Sequence, residues 1–111
     1  MHPLPEFSVT RRRTGEAVVV VPVGEIDLAT IDQLESEIEA AAGESTQLVL
    51  DLRDISFMDS AGLRLVLQCS RRLAEAGGAL TVVRGTREVQ RLFDLVGLGG
   101  RLTMLDQPPD G

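Results

Sequence analysis

The chain has 111 residues, the length of one domain, and its 43% hydrophobic and 25% charged residues are typical of a soluble globular protein. Its formal net charge of −6 argues against a nucleic-acid-binding surface, because binding to phosphate backbones needs a basic face. With a single cysteine the chain cannot form an intramolecular disulfide, which agrees with a reducing cytoplasm.

Apolar periodicity and turn residues divide the chain into alternating strands and helices. The β-branched run at 17–23 predicts a strand that is buried on both faces and ends at Gly24. Pro22 must face an unpaired position or lie at the end of that strand, because proline cannot donate a ladder hydrogen bond. The predicted elements are strands at 7–13, 17–23, 47–52, 79–83 and 102–105, an apolar continuation at 55–58, and helices from Asp27 or Thr30 to about 42, from 60 to about 76 and from 86 to about 96.

This alternation predicts an α/β fold with a mixed, largely parallel β-sheet and helices packed on it. A turn at 14–16 joins the first two strands, which adds an antiparallel hairpin at the N-terminal end. Residues 7–106 are expected to form the domain. The proline-containing ends, 1–6 and 107–111, are expected to be a flexible leader and a flexible tail.

Few residues could support catalysis. The sequence contains no lysine, which excludes a P-loop, a Schiff-base enzyme and a lysine-dependent receiver domain. The only histidine, His2, lies in the leader, and no histidine and cysteine cluster could hold a metal ion. No apolar run approaches the ~18–20 residues that span a bilayer, and no signal-peptide pattern is present. We therefore expect a cytoplasmic protein that is not an enzyme, uses no cofactor or metal, and binds neither nucleic acid nor membrane.

The predicted helix at 60–76 carries apolar residues on two sides. Leu65 and Cys69 are expected to project away from the sheet, beside Arg72. Two interpretations stay open: isolated exposed apolar residues that need no explanation, or a small partner-binding surface framed by arginine. The residues expected to face the sheet are Leu63, Val66, Leu67, Ser70, Leu73 and Ala74.

The start of the same helix offers a free hydroxyl or an occupied one, depending on which residue caps it. If Asp59 is the N-cap, Ser60 takes the first helical position and its hydroxyl points outward, free to react. If Ser60 is the cap, a backbone N–H occupies that hydroxyl. Both residue types are common caps, so from the residues alone plain capping is the favoured interpretation.

Three motifs together resemble the STAS domain family, and in particular bacterial anti-sigma factor antagonists. They are DLRDISFMDSAGLRLVL at 51–67, VGEID at 23–27 and RLFDLVGL at 91–98, and they agree with the family in order and spacing. The resemblance covers roughly residues 7–106. It implies a STAS-type sheet of about five strands with three to four helices.

The resemblance also implies a switch. In such families the unphosphorylated antagonist binds an anti-sigma factor with serine kinase activity, which phosphorylates one serine, and a serine phosphatase resets it. Ser60 matches the acceptor, and Ala61 stands where the motif commonly has a second hydroxyl. Asp27 matches a partner-facing position near the acceptor, and Gly62 matches a glycine that allows close backbone approach. The expected partner-binding residues are Asp27, Asp59, Ser60, Ala61, Gly62, Leu65, Cys69 and Arg72.

Three alternatives remain at this point. The first is a STAS subunit of a transport, lipid-trafficking or signalling complex without kinase control. The second is a nucleotide-binding module that uses the backbone N–H groups at 60–62. The third is a receiver-like domain with Asp51 as phosphoacceptor, which lacks the acidic pair and the lysine that such domains need.

Overall fold

The computed structural model describes residues 6–97 and 102–110, where the predicted alternation of strands and helices is confirmed. The leader residues 1–5, including His2, lie outside the described residues. The elements are β1 (Ser8–Thr14), β2 (Ala17–Ile26), α1 (Ile31–Ala42), β3 (Gln47–Asp51), β4 (Ile55–Met58), α2 (Ser60–Glu75), β5 (Ala79–Val83), α3 (Arg87–Leu95) and β6 (Thr103–Leu105).

The strands form one mixed sheet with the order β1-β2-β3-β5-β6, and β4 pairs with β2. The β1–β2 hairpin is antiparallel, and the other pairings are parallel. This confirms the predicted mixed, largely parallel sheet. Residues 55–58, expected as a continuation of the strand before them, instead form a strand of their own. After a short turn they pair with β2 and not with β3.

The strand β2 is longer than predicted, because it does not end at Gly24. It pairs with β3 over residues 17–20 and with β4 over residues 24–26. Gly24 has a φ of 111°, and the register shifts beside it, so this glycine bends β2 from one partner to the other. Pro22 lies between the two paired stretches, where its missing N–H removes no hydrogen bond to β3 or β4.

All three helices within the described residues bury their apolar sides against one face of the sheet. Alternate residues of the strands point to this face, as the period of two requires. The opposite face carries a smaller cluster of three buried valines, Val19, Val49 and Val83. The main core is made by Val18, Val20, Leu48, Leu50, Leu80 and Val82 of the sheet with residues such as Leu34, Ile38, Val66, Val89 and Phe93 of the helices.

The expectation that Leu65 and Cys69 are exposed was wrong. Leu65 is 6% exposed and Cys69 7%, and both belong to the main core. The reason is that α2 packs against α1 as well as the sheet, so a second side of the helix is covered. Burial also raises the pKa of the Cys69 thiol, which makes it a poor nucleophile.

On the side of α2 expected to face the sheet, the prediction is confirmed in part. Leu63, Val66 and Leu73 are buried there, and Leu67 and Ser70 are half-buried. Ala74, near the end of the helix, is exposed, which corrects its assignment to this side.

Residues 106–110, which we call the strap, are joined to the domain by ion pairs at both ends. At one end Asp106 pairs with Arg84, next to β5 and β6. At the other end Asp110 accepts two hydrogen bonds of 2.8 Å from Arg12 on β1, the opposite edge of the sheet. Between these ends Pro108 is buried. Arg12 is the register partner of Val19, so both side chains point to the same face of the sheet. The strap therefore crosses the face that carries Val19, on which no helix packs among the described residues.

Replacing Asp110 with asparagine is expected to loosen the strap and leave the melting temperature nearly unchanged. Hydrogen bonds from Arg12 hold the pKa of Asp110 below its ordinary value. The pairing is therefore complete above the usual aspartate pKa of about 3.9 and is lost as the pH falls through the lowered pKa. NMR titration of the Val19 methyl groups would follow this loss in the wild type. Asp110→Asn is expected to lose this change of the Val19 shifts with pH, and the control Asp106→Asn is expected to keep it. The same change in Asp110→Asn as in the wild type would contradict the prediction.

Candidate functional site

The helix α2 begins with Asp59 as its N-cap, which settles the question that the sequence left open. The Asp59 carboxylate accepts hydrogen bonds from the backbone N–H groups of Ala61 at 2.9 Å and Gly62 at 3.3 Å. Ser60 is therefore the first helical residue, and its side chain is exposed. Among the described residues the Ser60 hydroxyl has no hydrogen-bond partner, so it is free to react or to be contacted.

The pairing of β2 with β4 brings Asp27 next to Asp59, at the start of α2. Ile26 and Met58 are register partners at the ends of these parallel strands, and the Asp59 N–H donates to the Ile26 carbonyl at 3.1 Å. Neighbouring strands lie about 4.8 Å apart, so Asp27 and Asp59 leave the sheet side by side. Two acidic residues thus leave the ends of neighbouring strands at the start of α2, where Ser60 is exposed.

A turn after β2 fixes Asp27. Its carboxylate accepts the N–H of Ala29 at 2.9 Å, and the Asp27 N–H donates to the Thr30 hydroxyl at 3.0 Å. That hydroxyl in turn donates to the Glu25 carbonyl at 2.7 Å. Of the two helix starts that the sequence allowed, Thr30 is the N-cap of α1, and Asp27 stabilises the loop that leads to it.

Gly62 lies beneath the site and is buried. A Cβ atom at this position would come within 2.5 Å of the Met58 Cγ and 2.8 Å of the Ile26 Cγ2. The glycine therefore allows the first turn of α2 to lie directly on the ends of β2 and β4. It positions Ser60 and is itself covered, which differs from the expected place on the partner-facing surface.

The other expected partner-binding residues are not brought to this place. Arg72 is twelve residues after Ser60 on α2, about 18 Å along the helix axis. With Leu65 and Cys69 it lines a groove of about 510 Å³ between α1 and α2. The structure therefore separates the predicted residues into a cluster of Asp27, Asp59, Ser60 and Ala61 over the buried Gly62, and a second group of Leu65, Cys69 and Arg72 that lines the groove beside α1.

Exposed apolar side chains near the cluster were missed by the sequence analysis. Phe57, three residues before Ser60, is 48% exposed, and Leu28, next to Asp27, is 81% exposed. Phe57 also lines an apolar depression of about 330 Å³ with Leu92 and Leu95 of α3. The burial pattern of β4, with Ile55 and Met58 inward and Phe57 outward, became visible only once its partner strand was known.

The cluster can accept a transferred group but lacks the means to activate its own hydroxyl. Among residues 6–97 and 102–110, no group of three or more potential metal ligands is present. No helix in those ranges is long and apolar enough to cross a bilayer. The carboxylates of Asp59 and Asp27 accept backbone N–H groups, and neither is hydrogen-bonded to the Ser60 hydroxyl among the described residues, so no base is positioned to activate it.

The receiver-like alternative is not supported by the position of Asp51. Its side chain is 1% exposed and is bound by the Arg53 guanidinium, with a shortest distance of 2.9 Å. The Arg53 N–H donates to the same carboxylate. A carboxylate that is buried and paired in this way is not available as a phosphoacceptor.

The hairpin-led sheet, the bent β2 strand and the aspartate-capped helix that presents a serine together define a domain of the STAS fold class. The family model described as STAS domain matches residues 8–107. The chain therefore belongs to the STAS domain family.

The chain is similar to several proteins named anti-sigma factor antagonists. It is 34% identical over 88 residues to the anti-sigma F factor antagonist of Lysinibacillus sphaericus, covering 78% of this chain and 75% of that protein. A crystal structure of an anti-sigma factor antagonist from Mycobacterium paratuberculosis is 26% identical with a TM-score of 0.86, covering 95% of this chain and 90% of that one.

A third relative has been solved in two states. The Bacillus cell fate determinant SpoIIAA in its phosphorylated form is 29% identical with a TM-score of 0.72, covering 95% of this chain and 94% of that one. The anti-sigma factor antagonist SpoIIAA in its unphosphorylated form is 29% identical with a TM-score of 0.77, covering 95% of this chain and 90% of that one. The fold of this chain thus matches both forms of that protein.

Proposed function

We propose that this chain is an anti-sigma factor antagonist that acts in the cytoplasm and is controlled by phosphorylation of Ser60. In its unphosphorylated form it binds an anti-sigma factor with serine kinase activity and so releases the sigma factor. The kinase then transfers the γ-phosphoryl group of ATP to Ser60, the complex dissociates, and a serine phosphatase resets the antagonist. The chain itself is the substrate in this cycle and catalyses no step.

One observation carries this proposal: Ser60 is exposed at the first position of α2 with its hydroxyl left free by the Asp59 cap. A kinase active site can reach such a hydroxyl, and the small Ala61 beside it leaves room. The names of the relatives support the regulatory class, and SpoIIAA is named in phosphorylated and unphosphorylated forms.

The geometry explains how one phosphate could switch binding without unfolding the domain. A phosphate adds about −1.5 to −2 charges, which the N-terminus of a helix tolerates or favours. For a partner docked on the cluster, however, the phosphate adds to the negative charges of Asp27 and Asp59. Repulsion and the desolvation of the dianion would then oppose the contact.

A binding experiment with a candidate kinase-type anti-sigma factor, encoded by a neighbouring gene, tests the proposal. Mass spectrometry after incubation with ATP is expected to place one phosphate on Ser60. By calorimetry, the phosphorylated chain and Ser60→Asp should bind at least about tenfold more weakly than the wild type, about 1.4 kcal/mol or more. Ser60→Ala should bind like the unphosphorylated chain and remain unmodified.

Ser56→Ala is the matched control, because Ser56 on β4 is also exposed and precedes Ser60 by four residues. Its hydroxyl donates to the Gly24 carbonyl at 3.3 Å, and its removal should change neither modification nor affinity. A phosphate on another residue, or equal affinity of the phosphorylated and unphosphorylated chains, would refute the mechanism and leave the fold unaffected.

A further inference from the structure

Arg64 lies on the same side of α2 as Ser60, one turn further along the helix. Both side chains are exposed, and the four-residue spacing places their Cβ atoms about 5–6 Å apart. Long side chains in helices point back toward the N-terminal end, so the Arg64 guanidinium can reach the region above Ser60.

Arg64 has no acidic residue at the neighbouring positions of α2 with which it could pair. The residues three and four positions away on either side are Ser60, Ala61, Leu67 and Gln68, none of which is charged. The ion pairs found among the described residues involve other arginines, namely Arg11, Arg12, Arg53 and Arg84. The Arg64 charge is therefore exposed and unpaired in that part of the chain, one turn from the hydroxyl that the proposed function modifies.

We propose that Arg64 is a positioning residue that pairs with the phosphate group on Ser60. This inference rests on the proposed function, in which Ser60 is the acceptor. A guanidinium forms paired hydrogen bonds with phosphate oxygens, and an acidic group that precedes a basic one by four residues is the favoured orientation on a helix. Phosphorylation would give Arg64 its acidic partner, and the positive end of the helix dipole favours the same arrangement.

The pairing has a measurable consequence for the phosphate itself. Arg64 stabilises the dianion and so lowers the second pKa of the phosphoserine, whereas Asp27 and Asp59, from the β2 end and the helix cap, raise it. The pairing also holds the phosphate along the outer side of α2. The negative charge presented to a partner is then fixed in direction instead of being spread over several rotamers of the phosphoserine.

Phosphoserine inserted at position 60 during translation tests this inference without any kinase. Phosphorus NMR titration should give a second pKa about 0.2–0.4 units higher in Arg64→Gln than in the wild type. Arg64→Lys should give an intermediate value, because it keeps the charge but loses the paired geometry.

Arg71→Gln is the matched control. Arg71 is an exposed arginine on the same helix, and its replacement by glutamine removes the same charge as Arg64→Gln. It is eleven residues from Ser60, about 16 Å along the axis, and should leave the phosphoserine pKa unchanged. Equal titration of the wild type and Arg64→Gln, or equal shifts in Arg64→Gln and Arg71→Gln, would overturn the role of Arg64. Failure of a kinase to modify Ser60 would instead refute the proposed function.

Discussion

Replacing Leu65 with alanine is expected to lower the free energy of unfolding by about 2–5 kcal/mol, the usual cost of removing a buried leucine side chain. Leu65 is 6% exposed and lies on the side of α2 that α1 covers. The substitution would leave a cavity between the two helices, which the backbone can close only in part. Urea unfolding followed by circular dichroism measures the loss directly.

Leu67→Ala provides the comparison, because it is the same change on the same helix at a half-buried position. It should cost clearly less than Leu65→Ala, since less apolar surface returns to water in the native state. The opposite order, with Leu67→Ala costly and Leu65→Ala neutral, would mean that α2 buries only the side facing the sheet.

The second buried side of α2 shows what helical periodicity can and cannot predict. The spacing of apolar residues tells which side chains share a side of the helix, and Leu63, Val66 and Leu73 were placed correctly by it. It does not tell how many neighbours the helix has. Because α1 lies beside α2, Leu65 and Cys69 are covered as well, and their apolar character is explained by packing rather than by a partner.

The strands could be predicted where local composition left few alternatives. The valines at 18–21 in β2 suit a fully buried strand and little else. The sequence could not indicate that β2 passes through Gly24 and changes partner, because glycine usually weakens a strand. Only the pairing with β4, which is set by residues thirty positions away, reveals the bend.

The candidate site, too, could be predicted from the sequence only in part. Ser60 could be identified from the motif, but the choice between Asp59 and Ser60 as cap could not, since both residue types satisfy helix N–H groups equally well. The position of Asp27 next to the start of α2 depends on the register of Ile26 against Met58. The strap could not be predicted either, because Pro108-Pro109 resembles a disordered end until Asp110 is seen beside Arg12.

Gly62→Val is expected to destabilise the domain by about 1–3 kcal/mol, the usual cost of overpacking a filled core. The added Cβ would overlap with the Met58 Cγ and the Ile26 Cγ2, so the first turn of α2 must move away from the ends of β2 and β4. This shift would also displace Ser60 relative to Asp27. Urea unfolding gives the stability loss, and the NMR shifts of the Ser60 and Asp27 amides report the displacement.

Ala61→Val is the control for this change, since it adds a β-branched side chain to the neighbouring residue at a half-exposed position. It should cost no more than about 0.7 kcal/mol, the range of ordinary helix propensities. Truncating the buried Met58 to alanine should partly relieve the overlap, so that Met58→Ala combined with Gly62→Val costs less than the sum of the two single changes. Strict additivity, or equal losses for the two valine variants, would show that contact with Met58 is not what requires glycine at the start of α2.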